Sequence, residues 1–357
     1  MIGIVLPSIT FNHEVKRFNE SDSIFYQYKI LAKKYRVNFC MFSFKQISNN
    51  LKIVDALVYS CIQDSLVRET VALPRVNIVR NTSYVTDQGQ INKFEKLRNE
   101  GIHFINYALY SQANKLINYE YLQSHDQFKN HVPPTKRLTF GHLDSFIQQY
   151  GKVIIKPVFG SKGRGITIIE KDEVHYQICQ TPPGKNTFAN SKMNSKPKKL
   201  SVPHSHLKQF YNENFRKPAS FLVQQWIPFK EFNGHPFDMR AVVQKNSKNK
   251  WQLTSRVARV AKEHGQITNL NQGGEMVSFS KLPIQEYYND IREFCLEIAK
   301  AFAKLNPWTA EMGIDLAIDK NGKLWYIETN YCPEKTRWVT IFKTPFQYAY
   351  YLYKRGL

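Results

Sequence analysis

Short apolar runs alternate with helix-like patterns through the first part of the chain. The runs at 2–7, 37–42 and 55–60 are short and nearly continuous, which is typical of buried strands. Between the first two runs, apolar residues recur at helical spacing over 23–35. Because strand–helix–strand order favours a small, largely parallel sheet, we predict a Rossmann-like N-terminal α/β domain over 1–108.

The pattern changes after a helix-like stretch at 107–123 and the double proline that follows it. Two apolar runs on either side of a glycine-rich loop at 160–165 predict a hairpin. Residues 180–217 are rich in Pro, Asn, Ser and Lys, and we interpret them as a surface insertion with little regular structure. Later patterns predict strands and helices at 220–227, 239–245, 251–261, 284–305, 311–318 and 323–329, then an aromatic-rich helix. We therefore expect a central domain over 109–222 and a C-terminal one over 223–357.

The composition is that of an ordinary globular protein, with 42% hydrophobic and 22% charged residues among 357. No apolar run approaches the roughly 20 residues that span a bilayer, so we expect no membrane span. The first residues lack the basic region and cleavage site of a secretory signal, and the five cysteines are scattered without metal-ligand spacing. These features lead us to expect a cytoplasmic protein without a disulfide framework or a zinc site.

The charge is less ordinary, because 50 Lys and Arg stand against 29 Asp and Glu, a formal net charge of +21. Residues 185–217 alone carry eight Lys or Arg and one Glu, and we treat them as a basic insertion. Such a charge attracts anions, among them nucleic acids, nucleotides and acidic proteins, although the codon bias of an AT-rich genome explains it equally well. A nucleic-acid-binding protein is therefore an alternative, but no RNA-binding, zinc-knuckle or helix-turn-helix motif favours it.

The glycine-rich loop reads Gly-Ser-Lys-Gly-Arg-Gly over 160–165. Its spacing matches neither the GxxxxGK[ST] phosphate loop nor the GxGxxG dinucleotide fingerprint. Glycines nevertheless permit a backbone that approaches a ligand closely, so that successive N–H groups can converge on phosphate oxygens. Lys156, Lys162 and Arg164 add positive charge nearby. We favour a phosphate-binding loop over a flexible basic hairpin tip, which would have a similar composition.

Two carboxylates and an amide converge in a segment near the C-terminus. The turn signal Asp-Lys-Asn-Gly at 319–322 separates two alternating runs and predicts a hairpin. Glu328 and Asn330 share one face of their strand, and folding the hairpin brings Asp315 to within about one residue of opposite Glu328. Oxygen ligands of this kind suit Mg²⁺. With the phosphate loop, they predict Mg-nucleotide chemistry, whereas the simpler alternative is a solvated hairpin with its polar residues outward.

Five segments in this order resemble the motifs of ATP-grasp enzymes. They are KPVFGSKGRGI, VQQWIPFKEF, FDMRAVVQ, SRVARVAKEHGQITNLNQGGE and GIDLAIDKNGKLWYIETN. Their details look most like the endospore coat-associated YheC/YheD family, and the resemblance covers roughly residues 110–335. It implies an ATP-grasp fold, of the α/β (α+β) class, that follows the N-terminal α/β domain.

The resemblance also implies which residues bind ATP. Lys115 and Lys156 match the two lysines that contact the phosphates, and the glycine loop is similar to the lid over the triphosphate. The hinge that holds adenine starts at Gln224, where the family typically has an acid, and Glu231 matches the acid at the ribose hydroxyls. The full set expected at the nucleotide is Lys115, Lys156, Ser161, Lys162, Gly163, Arg164, Gly165, Gln224, Gln225, Trp226, Ile227 and Glu231.

Metal and catalytic roles follow from the same resemblance. The ligands expected for Mg²⁺, with two ions, are Asp315, Glu328 and Asn330. The residues expected to neutralise charge on the γ-phosphate or an acyl-phosphate are Arg240, Arg259 and Asn269. Arg256 lies in the same run, either with them or as a surface cation. Gly313 stands where many D-alanyl ligases have a substrate-binding arginine, which disfavours that activity.

The reaction that the resemblance implies is ATP-dependent ligation of a carboxylate to an amine through an acyl-phosphate. The substrates would be a carboxylate donor and an amine acceptor, with an acidic peptide or protein, or a spore-associated one, as candidates. One alternative is a catalytically silent, ATP-binding structural or assembly protein of the spore coat. Spore association comes from the resemblance alone.

Overall fold

In the computed structural model, the residues described are 1–18, 20–80, 88–108, 110–160, 163–182, 197–262, 268, 273–331, 333 and 340–356. They form three β-sheets with helices packed on them. None of the helices described within these ranges is long and apolar enough to cross a bilayer.

The first sheet is built from the N-terminal part of the chain. Its elements are β1 Ile2–Leu6, α1 Ser8–Lys16, α2 Ile24–Tyr35, β2 Phe39–Ser43, β3 Ile53–Ser60, β4 Ser65–Ala72, β5 Val76–Val79, α3 Gln88–Asn99 and β6 His103–Ile105. The strand order is β4-β3-β2-β1-β5-β6, in which β1, β2, β5 and β6 pair in parallel and β3 and β4 extend the sheet in antiparallel fashion. The predicted α/β character is confirmed, and β4, β5 and β6 are strands that the prediction did not contain.

The central strand β1 is buried along its whole length because the sheet is covered on both faces. Ile2, Ile4 and Leu6 pack into a cluster with α2, whereas Val5 packs into a second cluster on the opposite face. The continuous apolar run at the start of the sequence therefore reflects burial on two sides rather than one.

The second sheet and its helices follow. The elements are α4 Lys115–Gln123, α5 Asp126–Lys129, β7 Thr135–Arg137, α6 Phe140–Tyr150, β8 Lys152–Pro157, β9 Thr167–Lys171, β10 His175–Gln180, β11 Lys198–Pro203, α7 Leu207–Asn214 and β12 Phe221–Gln225. The strand order is β11-β10-β9-β8-β12-β7, with antiparallel pairing throughout. The predicted hairpin around the glycine loop is confirmed as β8 and β9.

Two predictions for this region are wrong. The helix predicted over 107–123 begins at Lys115, because the Asn114 side chain accepts hydrogen bonds from two amides of the first turn, at 3.0 and 3.2 Å, and caps it there. The segment 197–217, predicted to have little regular structure, contains β11 and α7. Its composition is polar, yet α7 buries one apolar face against the sheet, formed by Leu207, Phe210 and Tyr211. Residues 183–196 of the expected insertion lie outside the described residues.

The third sheet contains most of the C-terminal part. The elements are β13 Glu231–Phe232, β14 His235–Lys245, β15 Trp251–Val260, β16 Glu275–Val277, α8 Tyr288–Leu305, β17 Glu311–Ile318, β18 Leu324–Asn330 and α9 Thr340–Lys354. The strand order is β16-β15-β14-β17-β18, and β13 pairs with β14 at one end. Helix α8 covers one face with a buried apolar stripe, so the other face is available for the candidate site.

The C-terminal helix α9 packs back on the first sheet. Phe346 and Ala349 of α9 belong to the same buried cluster as α2 and the outer face of β1. A buried ion pair between Arg80 and Glu311 (Nη1 to Oε1, 2.5 Å) joins the end of β5 to the start of β17. The domain boundaries at 108 and 222 stay a prediction, but this packing ties the two ends of the chain together.

Candidate active site

A cleft lies between the second and third sheets. It encloses about 910 Å³, including open solvent at its mouth. Its walls are formed by Lys115, Pro133, Ile154, Lys156, Pro157, Gly160, Gly163, Arg164, Ile166, Gln224, Gln225, Trp226, Ile227, Phe229, Asp238, Arg259, Thr268, Asp315, Ile327 and Glu328. Apolar side chains with a few charged groups converging among them are typical of a small-molecule site.

Lys156 projects from β8 into this cleft. Its Nζ donates to Oε1 of Gln224 on the adjacent strand β12, at 2.8 Å. The Gln224 amide in turn donates through Nε2 to Oγ1 of Thr135 on β7, also at 2.8 Å. Burial in the cleft wall lowers the pKa of Lys156 to about 8, while the nearby Glu328 carboxylate opposes the shift. Lys156 is therefore a cation held by a neutral acceptor.

Lys115 connects the glycine loop to the carboxylates. It begins α4, and its Nζ donates to the backbone carbonyl of Gly160 at 2.5 Å and lies 4.0 Å from Oε2 of Glu328. The helix start therefore positions a second cation between loop and carboxylate.

The glycine loop uses backbone conformations that favour glycine. Gly160, Gly163 and Gly165 have φ of 144°, 66° and 65°, all in the region that L side chains rarely adopt. The Thr181 hydroxyl donates to the Gly163 carbonyl at 3.0 Å and anchors the end of the loop. Gly163 and Arg164 line the cleft. Ser161 and Lys162, predicted at the phosphates, lie outside the described residues.

The predicted carboxylate hairpin has the expected geometry. Asp315 of β17 lies directly opposite Glu328 of β18, and a bulge after Asp315 accommodates the register. Asn330 shares the face of Glu328, and its Nδ2 donates to Glu328 Oε1 at 3.4 Å. The turn is held by Asp319, whose Oδ1 accepts from the backbone amides two and four residues later, at 2.9 and 3.0 Å. The place of Asp315 opposite Glu328 and the shared face of Glu328 and Asn330 are therefore as predicted.

The donor set of this hairpin fits Mg²⁺. Two carboxylates and an amide oxygen are hard ligands, and the Asn330 amide directs its nitrogen to Glu328, so its oxygen stays available to a cation. The described residues contain no cluster of three or more His, Cys, Asp and Glu side chains with metal-ligand geometry. An ion would therefore rest on this mixed set together with substrate oxygens.

A buried cluster of ion pairs lies beside the hairpin. Arg240 binds Asp315 through two hydrogen bonds of 2.6 and 2.7 Å. Arg259 binds Asp238 through two of 2.7 and 2.5 Å and reaches Asp315 Oδ2 at 2.9 Å. Burial raises the pKa of Asp238 although Arg259 opposes the rise. Burial also disfavours ionised Asp315, but Arg240 and Arg259 outweigh it and lower the pKa of that carboxyl.

The hinge after β12 lines the other end of the cleft. The Gln225 amide donates to the Pro134 carbonyl at 3.0 Å, and the Trp226 amide to the Lys152 carbonyl at 3.2 Å. Within the described part of the chain, the Ile227 amide has no hydrogen-bond partner. Because this amide belongs to a residue that lines the cleft, it is a donor available to a ligand.

Five predicted positions that the structure describes do not themselves line the cleft, namely Gly165, Glu231, Arg240, Arg256 and Asn330. The exposed Glu231 carboxylate pairs with Lys320 at 3.1 Å, and Glu231 is not among the lining residues. Asn269 lies outside the described residues, although its neighbour Thr268 lines the cleft. Arg256 lies on the opposite face of β15, stacked on two aromatic rings of that side, Phe279 at 4.7 Å and Tyr288 at 4.1 Å. The roles predicted for Glu231 and Asn269 stay predictions.

Gly313 of β17 lies in close contact with a neighbouring loop. A Cβ there would be 2.9 Å from Cβ of Pro333 and 3.7 Å from Cδ of Arg240. A larger side chain, including the arginine typical of many D-alanyl ligases, would need Pro333 to move. Close packing against Pro333 therefore disfavours an arginine at position 313 in this fold.

Sequence reasoning missed several lining residues. The apolar walls formed by Ile154, Ile166 and Ile327 were not singled out, nor was Thr135, which lies behind the wall and accepts a hydrogen bond from Gln224. Thr135 follows the double proline directly, and its place at the start of an edge strand beside the hinge is the signal that could have identified it.

Comparison with known proteins gives a consistent result. A family model described as YheC/D-like ATP-grasp matches residues 101–352. The endospore coat-associated protein YheD of Bacillus subtilis (strain 168) is 29% identical over 242 residues, covering 60% of this chain and 49% of YheD. The endospore coat-associated protein YheC of the same organism is 21% identical over 224 residues, covering 59% of this chain and 57% of YheC. The chain thus spans about half the length of the curated relatives it matches.

A solved structure shares the fold at low sequence identity. The N5-carboxyaminoimidazole synthetase from Staphylococcus aureus aligns with a TM-score of 0.51 and 12% identity, covering 98% of this chain and 77% of the synthetase. Together with the family model, this likeness confirms the predicted fold class.

Proposed function

The chain belongs to the YheC/D-like ATP-grasp family, and from that premise we propose that it is an ATP-dependent ligase that joins a carboxylate to an amine. ATP would be cleaved to ADP and phosphate. The proposal concerns the class of reaction, and the identities of the acid and the amine are separate questions.

The observation that carries the proposal is the set of charged groups on one cleft. Two lysines, two arginines and three carboxylates converge there from different strands, a helix and the glycine loop, namely Lys115, Lys156, Arg164, Arg259, Asp238, Asp315 and Glu328. Cations and carboxylates together suit a metal-bound polyphosphate, since the cations bind phosphate oxygens and the carboxylates bind the metal. A cleft with a purely structural role would not need cations and carboxylates together on its walls.

The nucleotide would lie along the cleft with its base at the hinge. The amide of Ile227, which has no partner among the described residues, is the donor that an adenine edge would meet, between the apolar walls of Ile154 and Ile327. Lys156 and Lys115 would contact the phosphates. The glycine loop, which starts at Gly160, would cover them and keep water from the reacting groups.

Asp315, Glu328 and Asn330 are the residues that would hold Mg²⁺. When bound, the ion supplies positive charge against the phosphate oxygens. The protein's own contribution is to orient these oxygen ligands from a rigid hairpin and to back Asp315 with the two arginines of the buried cluster.

The chemistry needs no covalent nucleophile on the protein. A carboxylate oxygen of the substrate would attack the γ-phosphorus, and the bond to the ADP oxygen would break. An amine would then attack the acyl carbon, phosphate would leave, and the nitrogen would lose a proton. Arg240 and Arg259 would neutralise charge on the transferred phosphoryl group.

A catalytically silent, ATP-binding protein is the alternative that the comparisons keep open, since the relatives carry names that describe association with the endospore coat. As part of the ligase function, we propose that this chain associates with the spore and that its substrate is an acidic peptide or protein. The net charge of +21 supports an acidic partner. Turnover of bound ATP would indicate a ligase, whereas ATP binding without turnover would indicate the silent protein.

The test is ADP release from Mg-ATP across a panel of amino acids and acidic peptides. We expect release that depends on the acid in wild type and is lost in Glu328→Ala, while the exposed control Glu286→Ala behaves as wild type. Tight ATP binding with no turnover on any acid would favour the silent alternative. No ATP binding at all would contradict the proposal.

A further inference from the structure

A continuous chain of hydrogen bonds runs behind the cleft wall across three adjacent strands. The Thr135 hydroxyl on β7 donates to the Pro133 carbonyl at 2.7 Å. Gln224 on β12 donates through Nε2 to Thr135 Oγ1 at 2.8 Å, and its Oε1 accepts from Lys156 Nζ on β8 at 2.8 Å. Thr135 and Gln224 are 4% and 2% exposed, so water does not compete for these bonds.

The direction of every bond in this chain is fixed from both ends, because the Pro133 carbonyl can only accept and the Lys156 ammonium can only donate. The Pro133 carbonyl can only accept, so the single hydroxyl proton of Thr135 points toward it. The Thr135 oxygen then presents a lone pair to Gln224, which only the NH₂ end of the amide can meet. The carbonyl end of Gln224 therefore faces Lys156. A flipped amide would oppose two donors at Lys156 and two acceptors at Thr135.

A neutral acceptor at this point has a consequence for charge. The Gln224 carbonyl orients the ammonium of Lys156 without cancelling its positive charge, which a carboxylate would do. The cation stays available to an anion in the cleft. The orientation of Lys156 depends on Gln224, and the NH₂ end of Gln224 is held by Thr135, which does not line the cleft.

We propose that Thr135 is a positioning residue of the nucleotide site, which orients the Gln224 amide and through it aims Lys156 at the phosphates. This inference rests on the proposed function, since it assumes that the cleft binds ATP. It assigns a role to a residue outside the cleft wall and explains why an amide is compatible with the position where an acid is typical of the family.

The test compares nucleotides with and without phosphates. Thr135→Val keeps the shape and removes the hydroxyl, so the NH₂ end of the Gln224 amide loses its acceptor and the amide is less firmly held. We expect the dissociation constant for Mg-ATP to rise about tenfold, equivalent to about 1.4 kcal/mol, while that for adenosine stays unchanged. Thr135→Ser, which retains the hydroxyl, should restore ATP binding. Titration calorimetry or displacement of a fluorescent nucleotide measures each constant.

Thr167→Val is the matched control, because Thr167 is a buried threonine of the same sheet on β9 that makes no contact with this chain of bonds. It should leave both dissociation constants unchanged. Gln224→Glu gives a second test that removes no volume. A carboxylate beside Lys156 should weaken ATP binding and move the alkaline limit of ATP binding to higher pH.

The outcomes distinguish this inference from the function on which it rests. Equal ATP affinity in wild type and Thr135→Val would overturn the positioning role and leave the proposed function intact. Equal losses of ATP and adenosine binding in Thr135→Val would assign Thr135 a purely structural role. Failure of wild type to bind ATP would overturn the proposed function and the positioning role with it.

Discussion

Replacing Arg259 by methionine removes the shared partner of two buried carboxylates. Arg259 makes both ion-pair contacts of Asp238 and one of those of Asp315. Methionine fills much of the same volume without a charge. The variant therefore tests whether the cluster beside the candidate metal site has the electrostatic balance described here.

The expected magnitude follows from burial. The side chains of Arg259, Asp238 and Asp315 are 6%, 5% and 2% exposed, so solvent screens their interactions little. Asp315 keeps Arg240, whereas Asp238 keeps no ion-pair partner among the described residues. Removing one partner of a buried pair costs about 3–5 kcal/mol, and we expect the free energy of unfolding to fall by that amount at neutral pH.

The loss should shrink as the pH falls. Burial already raises the pKa of Asp238, and losing Arg259 would raise it further, so acid converts this carboxyl to a neutral form that needs no partner. Asp315 acts in the same direction. The arginines lower its pKa, so its stabilising contribution in wild type is present at neutral pH and is lost as the pH falls through the lowered pKa.

Urea unfolding followed by tryptophan fluorescence measures the change, because Trp251 and Trp325 lie in the third sheet. Arg256→Met is the matched control on the same strand, where loss of its stacking on aromatic rings should cost about 0.5–2 kcal/mol without pH dependence. Adding Asp238→Asn to Arg259→Met should restore most of the lost stability. A pH-independent loss, or no rescue by Asp238→Asn, would refute the reasoning.

Three further predictions use other parts of the molecule. Because burial lowers the pKa of Lys156 to about 8, calorimetry should show ATP affinity falling between about pH 7 and 9 in wild type but not in Lys156→Arg, whose charge persists. Gly313→Ala places a Cβ 2.9 Å from Pro333, and its thermal midpoint should fall by an amount equivalent to about 1–3 kcal/mol; an unchanged midpoint would contradict the contact. Arg80→Met leaves the fully buried Glu311 carboxylate without its cation and should cost about 3–5 kcal/mol in urea unfolding, partly restored by Glu311→Gln.

The carboxylate hairpin shows how far the sequence could lead. Period-two alternation put Glu328 and Asn330 on one face, and the Asp-Lys-Asn-Gly turn fixed the partner of Glu328 to within one position. The bulge after Asp315 determines which residue lies exactly opposite Glu328, and nothing in this segment of the sequence predicts a bulge. Local rules therefore predicted the site except for its exact register.

Strand alternation could have separated Arg256 from Arg259, but the prediction followed the family resemblance and kept both as candidates. They are three residues apart in a strand, so alternation puts them on opposite faces, and the structure has Arg256 on the side of α8. Asp238 and Arg240, two apart, do share the site face, as alternation predicts.

Contacts between distant parts of the chain could not be predicted from local patterns. The ion pair of Arg80 with Glu311 and the return of α9 to the first sheet join segments separated by more than two hundred residues. Thr135 gave only a weak signal, since its importance depends on a neighbour on another strand. Such features follow from topology, which periodicity and motif spacing do not encode.

Transfer of oxygen from the acid to phosphate shows whether this cleft activates a carboxylate with ATP. Amino acids and acidic peptides labelled with ¹⁸O in their carboxylates are incubated with Mg-ATP, and the released phosphate is analysed by mass spectrometry. We expect ¹⁸O in the phosphate, because the acyl-phosphate carries a carboxylate oxygen to phosphorus, and we expect this signal to be lost in Glu328→Ala. Phosphate released without label while turnover proceeds would contradict carboxylate activation, since ATP would then be attacked by water rather than by an acid.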